Sequence, residues 1–153
     1  MESRSVSIAW KIMMITNAVL LVFGLAFTFI PDVIYAPGFD MYTGQNWNSF
    51  VSSNSSVADL ILLTAGRMFG VHILVLTILS FAVTVYGFRK GERWSWYTLL
   101  IACTLGLVFD SIAVSIIGQM EVVAVDIIVL LIAYTALGIS AKDILSKKIA
   151  TDK

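Results

Sequence analysis

Four long stretches of apolar residues, separated by polar turns, dominate the sequence. They cover about residues 8–30, 60–88, 94–118 and 122–141. Each stretch holds the roughly 20 apolar residues that a helix needs to cross about 30 Å of hydrocarbon. Backbone polar groups that face lipid must be hydrogen-bonded within their own segment, so the four stretches are predicted to be α-helices. The pattern therefore predicts an all-α integral membrane protein, a single-domain four-helix bundle.

The composition agrees with a bilayer as the solvent. Of the 153 residues, 59% are hydrophobic and 13% are charged, and the mean hydropathy is +0.92. A water-soluble domain of this length needs far less apolar sequence for its core. The formal net charge is zero, so nothing in the charge balance favours binding to nucleic acid. The single cysteine, Cys103, cannot form a disulfide within one copy of the chain.

Basic residues are sorted to one side of the predicted four-span arrangement. They are Arg4, Lys11, Arg89, Lys90, Arg93, Lys142, Lys147, Lys148 and Lys153. The long connection 31–59 and the short turn 119–121 contain no lysine or arginine. Because loops rich in lysine and arginine stay in the cytoplasm, both termini and the 89–93 turn are predicted to be cytoplasmic. This predicts a multi-pass protein of the cell membrane with a long outer loop between its first two helices.

Small and hydroxyl-bearing residues mark the expected contact faces of the helices. Span two carries Gly66 and Gly70, with Thr77 on the same stripe, and span three carries Ser111 and Ser115. Lipid provides no hydrophobic force between helices, so contact faces rely on small residues that permit close approach. We expect these residues to pack helices within one chain, with a homodimer contact as the alternative.

Three charged residues lie inside the predicted spans: Arg67, Asp110 and Asp126. A charge at the centre of a bilayer costs at least roughly 2.5 to 3.5 kcal/mol, so such residues usually face a partner or a wet cavity. At 1.5 Å of rise per residue, Arg67 and Asp110 both fall about 12 Å below the outer ends of their spans. We therefore expect an ion pair between them, with Asp126 beside it. The cluster has two interpretations: a structural clip, or the floor of an outward-opening site for a small polar or anionic headgroup.

Two further polar residues inside the spans are candidates for secondary roles. His72 is the only histidine, and without a second histidine or a neighbouring cysteine no metal site is expected. It is predicted to be a neutral, hydrogen-bonded residue of the bundle, with proton relay as the alternative. Asn17 is predicted to hydrogen-bond between helices.

The outer connection 31–59 is rich in aromatic residues, among them Trp47. This composition predicts a segment that folds back on the bundle and covers the Arg67 cluster, or else one whose rings rest at headgroup depth. Asn54 begins the sequence Asn-Ser-Ser, which fits a glycosylation acceptor on the predicted outer side.

The order of these features resembles the DoxX-like group of small four-helix membrane proteins. The likeness lies in a first span that ends at Pro31, an aromatic outer loop, Arg67 followed by Gly70, the basic turn FRKGERWSWY, and Asp110 late in span three. It covers most of the chain at the level of layout. Some members of that group work as subunits of quinone-linked oxidoreductases or as partners of other membrane enzymes, so the resemblance implies an accessory role. No catalytic residue is carried over.

Two functional hypotheses follow. The first is an accessory or structural subunit without catalysis of its own, which contacts the lipid bilayer and other subunits or further copies of itself. The second is an enzyme or carrier for a quinone-, lipid- or small-anion-like ligand, in which Arg67 orients the ligand and Asp110 and Asp126 hold protons. No Gly-rich phosphate loop, HExxH or CxxC pattern occurs, which argues against a soluble enzyme. The second hypothesis is weakened because no redox or nucleophilic group is evident, and no cofactor is expected.

Overall fold

A computed structural model describes residues 3–116 and 120–146 of the chain. Within these ranges the chain forms helices joined by short turns, and no strand occurs. Among the described residues, four helices are long and apolar enough to cross a membrane. They are Arg4–Phe29, Ser55–Lys90, Arg93–Ile116 and Met120–Leu145. The prediction of an all-helical chain with four such segments is confirmed.

The first helix, α1 (Arg4–Phe29), begins with a side-chain cap and ends before a proline. The Ser3 hydroxyl accepts a hydrogen bond from the Val6 amide at 3.2 Å, which satisfies one of the free amides of the first turn. Pro31 has no amide hydrogen to continue the ladder of α1, and it begins the next helix instead. Capping therefore sets the bounds of α1, which starts four residues before the apolar stretch at 8–30.

The connection between the first two spans consists mainly of short helices. Helix α2 (Pro31–Thr43) ends at Gly44, whose φ of 68° is the left-handed conformation that favours glycine at a helix end. Helix α3 (Trp47–Ser53) begins at Asn46, whose side-chain oxygen accepts a hydrogen bond from the Ser49 amide at 3.3 Å. The segment predicted as a long loop is thus locally helical.

The second span is a continuous helical rod with a change of pitch near its start. It comprises α4 (Ser55–Ile61), a π-helical segment (Leu62–Arg67) and α5 (Met68–Tyr86). The helical rod therefore begins five residues before the apolar stretch at 60–88. π-Helical turns are rare and occur where packing widens a helix locally. Here a β-carbon added at Gly66 would lie only 2.6 Å from the β-carbon of Pro31.

The remaining two spans form a helical hairpin. A 3-10 turn (Phe88–Lys90) leads through Gly91, at φ 69°, into α6 (Arg93–Ile116), and α7 (Met120–Leu145) follows. The predicted end of span three at 118 lies outside the described residues, as do Lys147, Lys148 and Lys153.

The four spans do not close into a complete ring. Helix α1 packs along both α5 and α7, and α6 packs along α7. Contact between α5 and α6 is slight. It includes their connecting turn, where a β-carbon added at Gly87 would lie 2.6 Å from Ser95 Cβ. The spatial order across the bundle is therefore α5, α1, α7, α6.

The apolar core lies in one half of the bundle. Its buried members are Val6, Ala9, Met13, Phe88, Leu99, Ala133, Ala136, Leu137 and Ile144. They lie toward what we name the basic end, which carries the start of α1, the Phe88–Lys90 turn and the end of α7. The other end, with the end of α1, the helices α2 and α3 and the start of α7, is named the opposite end.

Candidate functional site: a carboxyl pair between two helices

The structure brings two acidic side chains together, Asp110 of α6 and Asp126 of α7. Their side chains lie close enough to interact with each other. The Ser111 hydroxyl donates to Asp126 Oδ2 at 3.2 Å. Asp126 is buried, with 7% of its surface exposed, and Asp110 is half-buried. An ionised carboxylate has no hydrogen to donate, so a hydrogen bond between the two requires that one of them carry a proton.

Asp110 belongs to a stripe of half-buried residues on α6 that faces α7. The half-buried residues of α6 beyond its first two turns recur every three or four positions, which is the spacing of one helix face. They are Leu100, Cys103, Thr104, Leu107, Asp110, Ser111, Val114 and Ser115. The Thr104 hydroxyl lies 2.8 Å from the Tyr134 hydroxyl, and the Trp96 indole donates to the Leu137 carbonyl at 2.9 Å. Polar contacts therefore join α6 to α7 at three levels.

Arg67 lies away from this pair. It is exposed at the end of the π-helical segment, which in the described part of the chain contacts α1, α2, α4 and α5 but neither α6 nor α7. Within residues 3–116 and 120–146, no ion pair joins Arg67 to Asp110. The expectation of that ion pair is therefore corrected to a contact between the two carboxyl groups.

Two physical reasons account for the position of Arg67. The second span extends past the end of α1, and Gly66 meets Pro31 at that end, so Arg67 lies level with the end of α1. Asp110 lies on α6, which the π-helical segment does not contact within the described residues. Moreover, α1 lies between α5 and α7, which separates Arg67 from the hairpin that carries the carboxyl pair.

A second polar cluster joins α1 to α5. Asn17, only 2% exposed, donates from Nδ2 to the Thr84 hydroxyl at 3.3 Å and accepts from the Ser80 hydroxyl at 2.8 Å. Sequence reasoning named Asn17 but not Ser80. The signal was available, because Thr77, Ser80 and Thr84 are spaced three and four residues apart on one face.

Gly70 of α5 lies at a close approach to α1, whereas Gly66 meets Pro31 at the start of α2. A β-carbon added at Gly70 would lie 2.6 Å from the Thr28 amide nitrogen and 2.5 Å from the Thr28 hydroxyl. Thr77, further along α5, is buried. Ser115 instead returns its hydroxyl to its own helix, with a bond to the Ile112 carbonyl at 2.7 Å.

His72 and Trp47 lie apart from the carboxyl pair. His72 is exposed, and its Nδ1 lies 2.6 Å from the Met68 carbonyl oxygen of the same helix. Trp47 is 4% exposed and packs against Phe39 and Phe50, with ring centroids 5.0 Å and 5.9 Å away. Its backbone amide donates to Asp40 Oδ1 at 2.6 Å. In the described residues α3 contacts only α2 and α4, so the outer segment does not cover the carboxyl pair.

The carboxyl pair with Ser111 can hold a proton or a cationic group. Carboxyl and hydroxyl oxygens accept hydrogen bonds from such groups, and nothing in the set attracts an anion. Among the described residues, no three His, Cys, Asp or Glu side chains converge as metal ligands. The arrangement can therefore join α6 to α7 or hold a proton.

The chain has no match among protein-family models, among curated proteins or among solved structures. The resemblance to the DoxX-like group thus stays a prediction that rests on the layout of the sequence. The features of the chain that bear on its function are the carboxyl pair and the packing of the helices.

Proposed function

We propose that this chain is a noncatalytic subunit of a larger membrane assembly, in which a helix of another chain lies against α6. The observation that carries the proposal is the incomplete bundle. Helix α6 packs along α7 only, whereas α1 packs along two neighbours. A further transmembrane helix completes the side on which α5 and α6 stay apart.

The side of α6 that no other span covers is long and carries exposed apolar side chains, among them Ile101, Leu105 and Phe109. Within α6 only Ser95 and Leu99 are buried, and both lie near the basic end. Around Gly106, a β-carbon would meet no atom within 4 Å. Ala102, one turn before it, is also exposed. Small residues at this spacing permit a second helix to approach closely, as is usual in membrane interfaces.

The carboxyl pair supports assembly in preference to a lipid-covered α6. Asp110 is half-buried at the edge of the uncovered side, within a membrane-crossing helix. Polar groups within a span face a bundle interior or a partner because lipid cannot hydrogen-bond them. A neighbouring helix against α6 shields Asp110 from lipid.

We place the basic end in the cytoplasm. All described lysine and arginine residues except Arg67 lie at that end, and loops rich in these residues resist translocation. On this orientation α2, α3 and Asn54 are on the outer side of the cell membrane.

Crosslinking in native membranes tests the assembly. In a Cys103→Ser background, a cysteine is placed either at Gly106 on α6 or at Val75, which is 51% exposed on α5, as the matched control. We expect Gly106→Cys to form one defined crosslinked product under oxidation or with a short bifunctional reagent, and Val75→Cys to form none. Equal, diffuse crosslinking at both positions would refute the proposal.

Native mass spectrometry of the protein in mild detergent identifies the partner. A complex with the mass of two or more copies of this chain would identify a homo-oligomer. A complex whose mass includes other chains would identify a heteromeric assembly. Either outcome, combined with the α6 crosslink, supports the subunit proposal. A lone chain in every mild detergent, without an α6 crosslink, contradicts it.

The second candidate function is binding of a small molecule between α5 and α6. The observation that favours it is the carboxyl pair itself, because carboxyl oxygens accept hydrogen bonds from a hydroquinone or from a cationic headgroup. A small anion is less well supported, because Arg67 lies away from the pair. This candidate predicts that a bound small molecule raises the melting temperature of wild-type protein, but not that of Asp126→Asn.

A further inference from the structure

The basic end gathers cations from three separate parts of the chain. The start of α1, the turn before α6 and the end of α7 contribute Arg4, Lys11, Arg89, Lys90, Arg93 and Lys142. Only two described acidic residues, Glu92 and Asp143, accompany these six cations; among their contacts are the Trp94 indole and the Ser5 hydroxyl, which donate to them. The basic end is therefore a strongly positive surface.

The cations lie at the depth of lipid headgroups. Ile8, Tyr86, Trp94 and Tyr97 are exposed at this end, with 44% to 68% of their surfaces uncovered. Tyrosine and tryptophan are enriched at the boundary between hydrocarbon and headgroups, so Tyr86, Trp94 and Tyr97 indicate that this end lies at that boundary. Side chains of lysine and arginine beside them reach the phosphate layer.

Lys11 and Arg89 form the best-defined part of this surface. The Arg89 guanidinium carbon lies 5.0 Å from the centroid of the Trp10 ring, a cation–π contact that restrains the charged group. Lys11 follows Trp10 on α1 and is exposed. Arg4 and Ile8 precede Lys11 at spacings that put all three on one face of α1. Within the described residues neither Lys11 nor Arg89 has an ion-pair partner.

We infer that the basic end binds anionic phospholipid headgroups, with Lys11 and Arg89 holding the phosphate beside Trp10. Charge complementarity identifies the ligand class, and headgroup depth identifies a lipid of the adjoining leaflet as its source. The inference is independent of the proposed role as a subunit.

Native mass spectrometry of the full-length protein with defined lipids tests the inference. The probes are phosphatidylglycerol and phosphatidylcholine of identical acyl chains. We expect more phosphatidylglycerol than phosphatidylcholine to stay bound to the wild type. Lys11→Gln and Arg89→Gln should each weaken phosphatidylglycerol binding by about fivefold, which corresponds to the loss of one cation near a membrane surface. Arg67→Gln removes one positive charge at the opposite end, so it is the matched control and should leave binding unchanged.

Several results would overturn the inference. One is equal binding of the two lipids by the wild type, and another is an equal loss of phosphatidylglycerol in all three variants. If inorganic phosphate competes away the lipid at equimolar concentration, the site recognises a free anion. If polyglutamate peptide binds the basic end more tightly than either lipid, the surface serves an acidic protein segment. Circular dichroism and the melting temperature of each variant verify that the fold is intact.

Discussion

The two ends of the bundle are held together by different kinds of contact. At the basic end, apolar side chains from all four spans form one buried core, and Phe88 at its centre has no exposed surface. At the opposite end, α5 is fixed to α1 by the close approach at Gly70, and α6 is fixed to α7 by the carboxyl pair. No apolar core joins these two pairs of helices there within the described residues.

This difference shows how a membrane protein can separate stability from recognition. A core in one half stabilises the arrangement of all four helices through the dense packing of side chains. In the other half the described residues form no such core, and the slight contact between α5 and α6 leaves α6 open to a neighbour. Four substitutions test this difference between the two ends.

The largest effect is expected at the centre of the core. Phe88→Ala should lower the free energy of unfolding by about 3–5 kcal/mol, because it leaves a cavity in the buried core. Phe109→Ala at the opposite end, where the ring is 65% exposed, should change it by less than about 0.5 kcal/mol. Reversible unfolding in mixed micelles measures both values. Equal losses would mean that the core is not confined to the basic end.

A smaller effect is expected where two backbones meet. Gly70→Ala should destabilise by about 1–3 kcal/mol, because the added β-carbon meets the backbone of Thr28 instead of a flexible side chain. Gly106→Ala, in open space, should be neutral or stabilising, since alanine is the better helix former. Melting temperatures in one detergent compare the two. If Gly70→Ala left the melting temperature unchanged, α1 and α5 would have to be further apart at this position than the structure shows.

The carboxyl pair should contribute less than the Phe88 core. Asp126→Leu leaves Ser111 and Asp110 without their partner and should destabilise by about 1–3 kcal/mol. Asp126→Asn keeps a donor and acceptors at the same place and should recover most of that loss. A double-mutant cycle with Asp110→Leu measures the coupling between the two residues. Additive losses would show that the carboxyl groups do not interact.

The smallest effect is expected at Arg67. Arg67→Gln removes an exposed charge that has no ion pair within the described residues, so the change should stay within about 0.5 kcal/mol. The double variant Arg67→Leu with Asp110→Leu should show the sum of the single effects, because the two residues do not touch. A double variant that is more stable than the sum of the single effects predicts would support the ion pair between Arg67 and Asp110 that was expected from the sequence.

The sequence was sufficient for the features that depend on hydropathy. Four apolar stretches predicted four helices of membrane-crossing length, because the length and apolar character of a segment decide whether it can cross hydrocarbon. Asn17 was also foreseeable, since an amide inside a span requires a polar partner.

The sequence was insufficient to predict how deep Arg67 lies in the bundle and which helices are neighbours. The π-helical segment and the early start at Ser55 carry no hydropathy signal, so counting residues from the apolar boundary put Arg67 too deep. Helices adjacent in sequence are usually adjacent in space, but α5 and α6 separate because α1 lies between α5 and α7. The carboxyl pair was hidden for another reason: two acidic residues on neighbouring helices are expected to repel each other, so nothing in the sequence pointed to Asp110 beside Asp126.

The central position of α1 also bears on how the chain is made. This helix is synthesised before both of its packing partners, α5 and α7. Until α7 enters the bilayer, the face of α1 that packs on α7 lacks its partner from this chain. The packing of α1 is therefore completed only after α7 has been inserted.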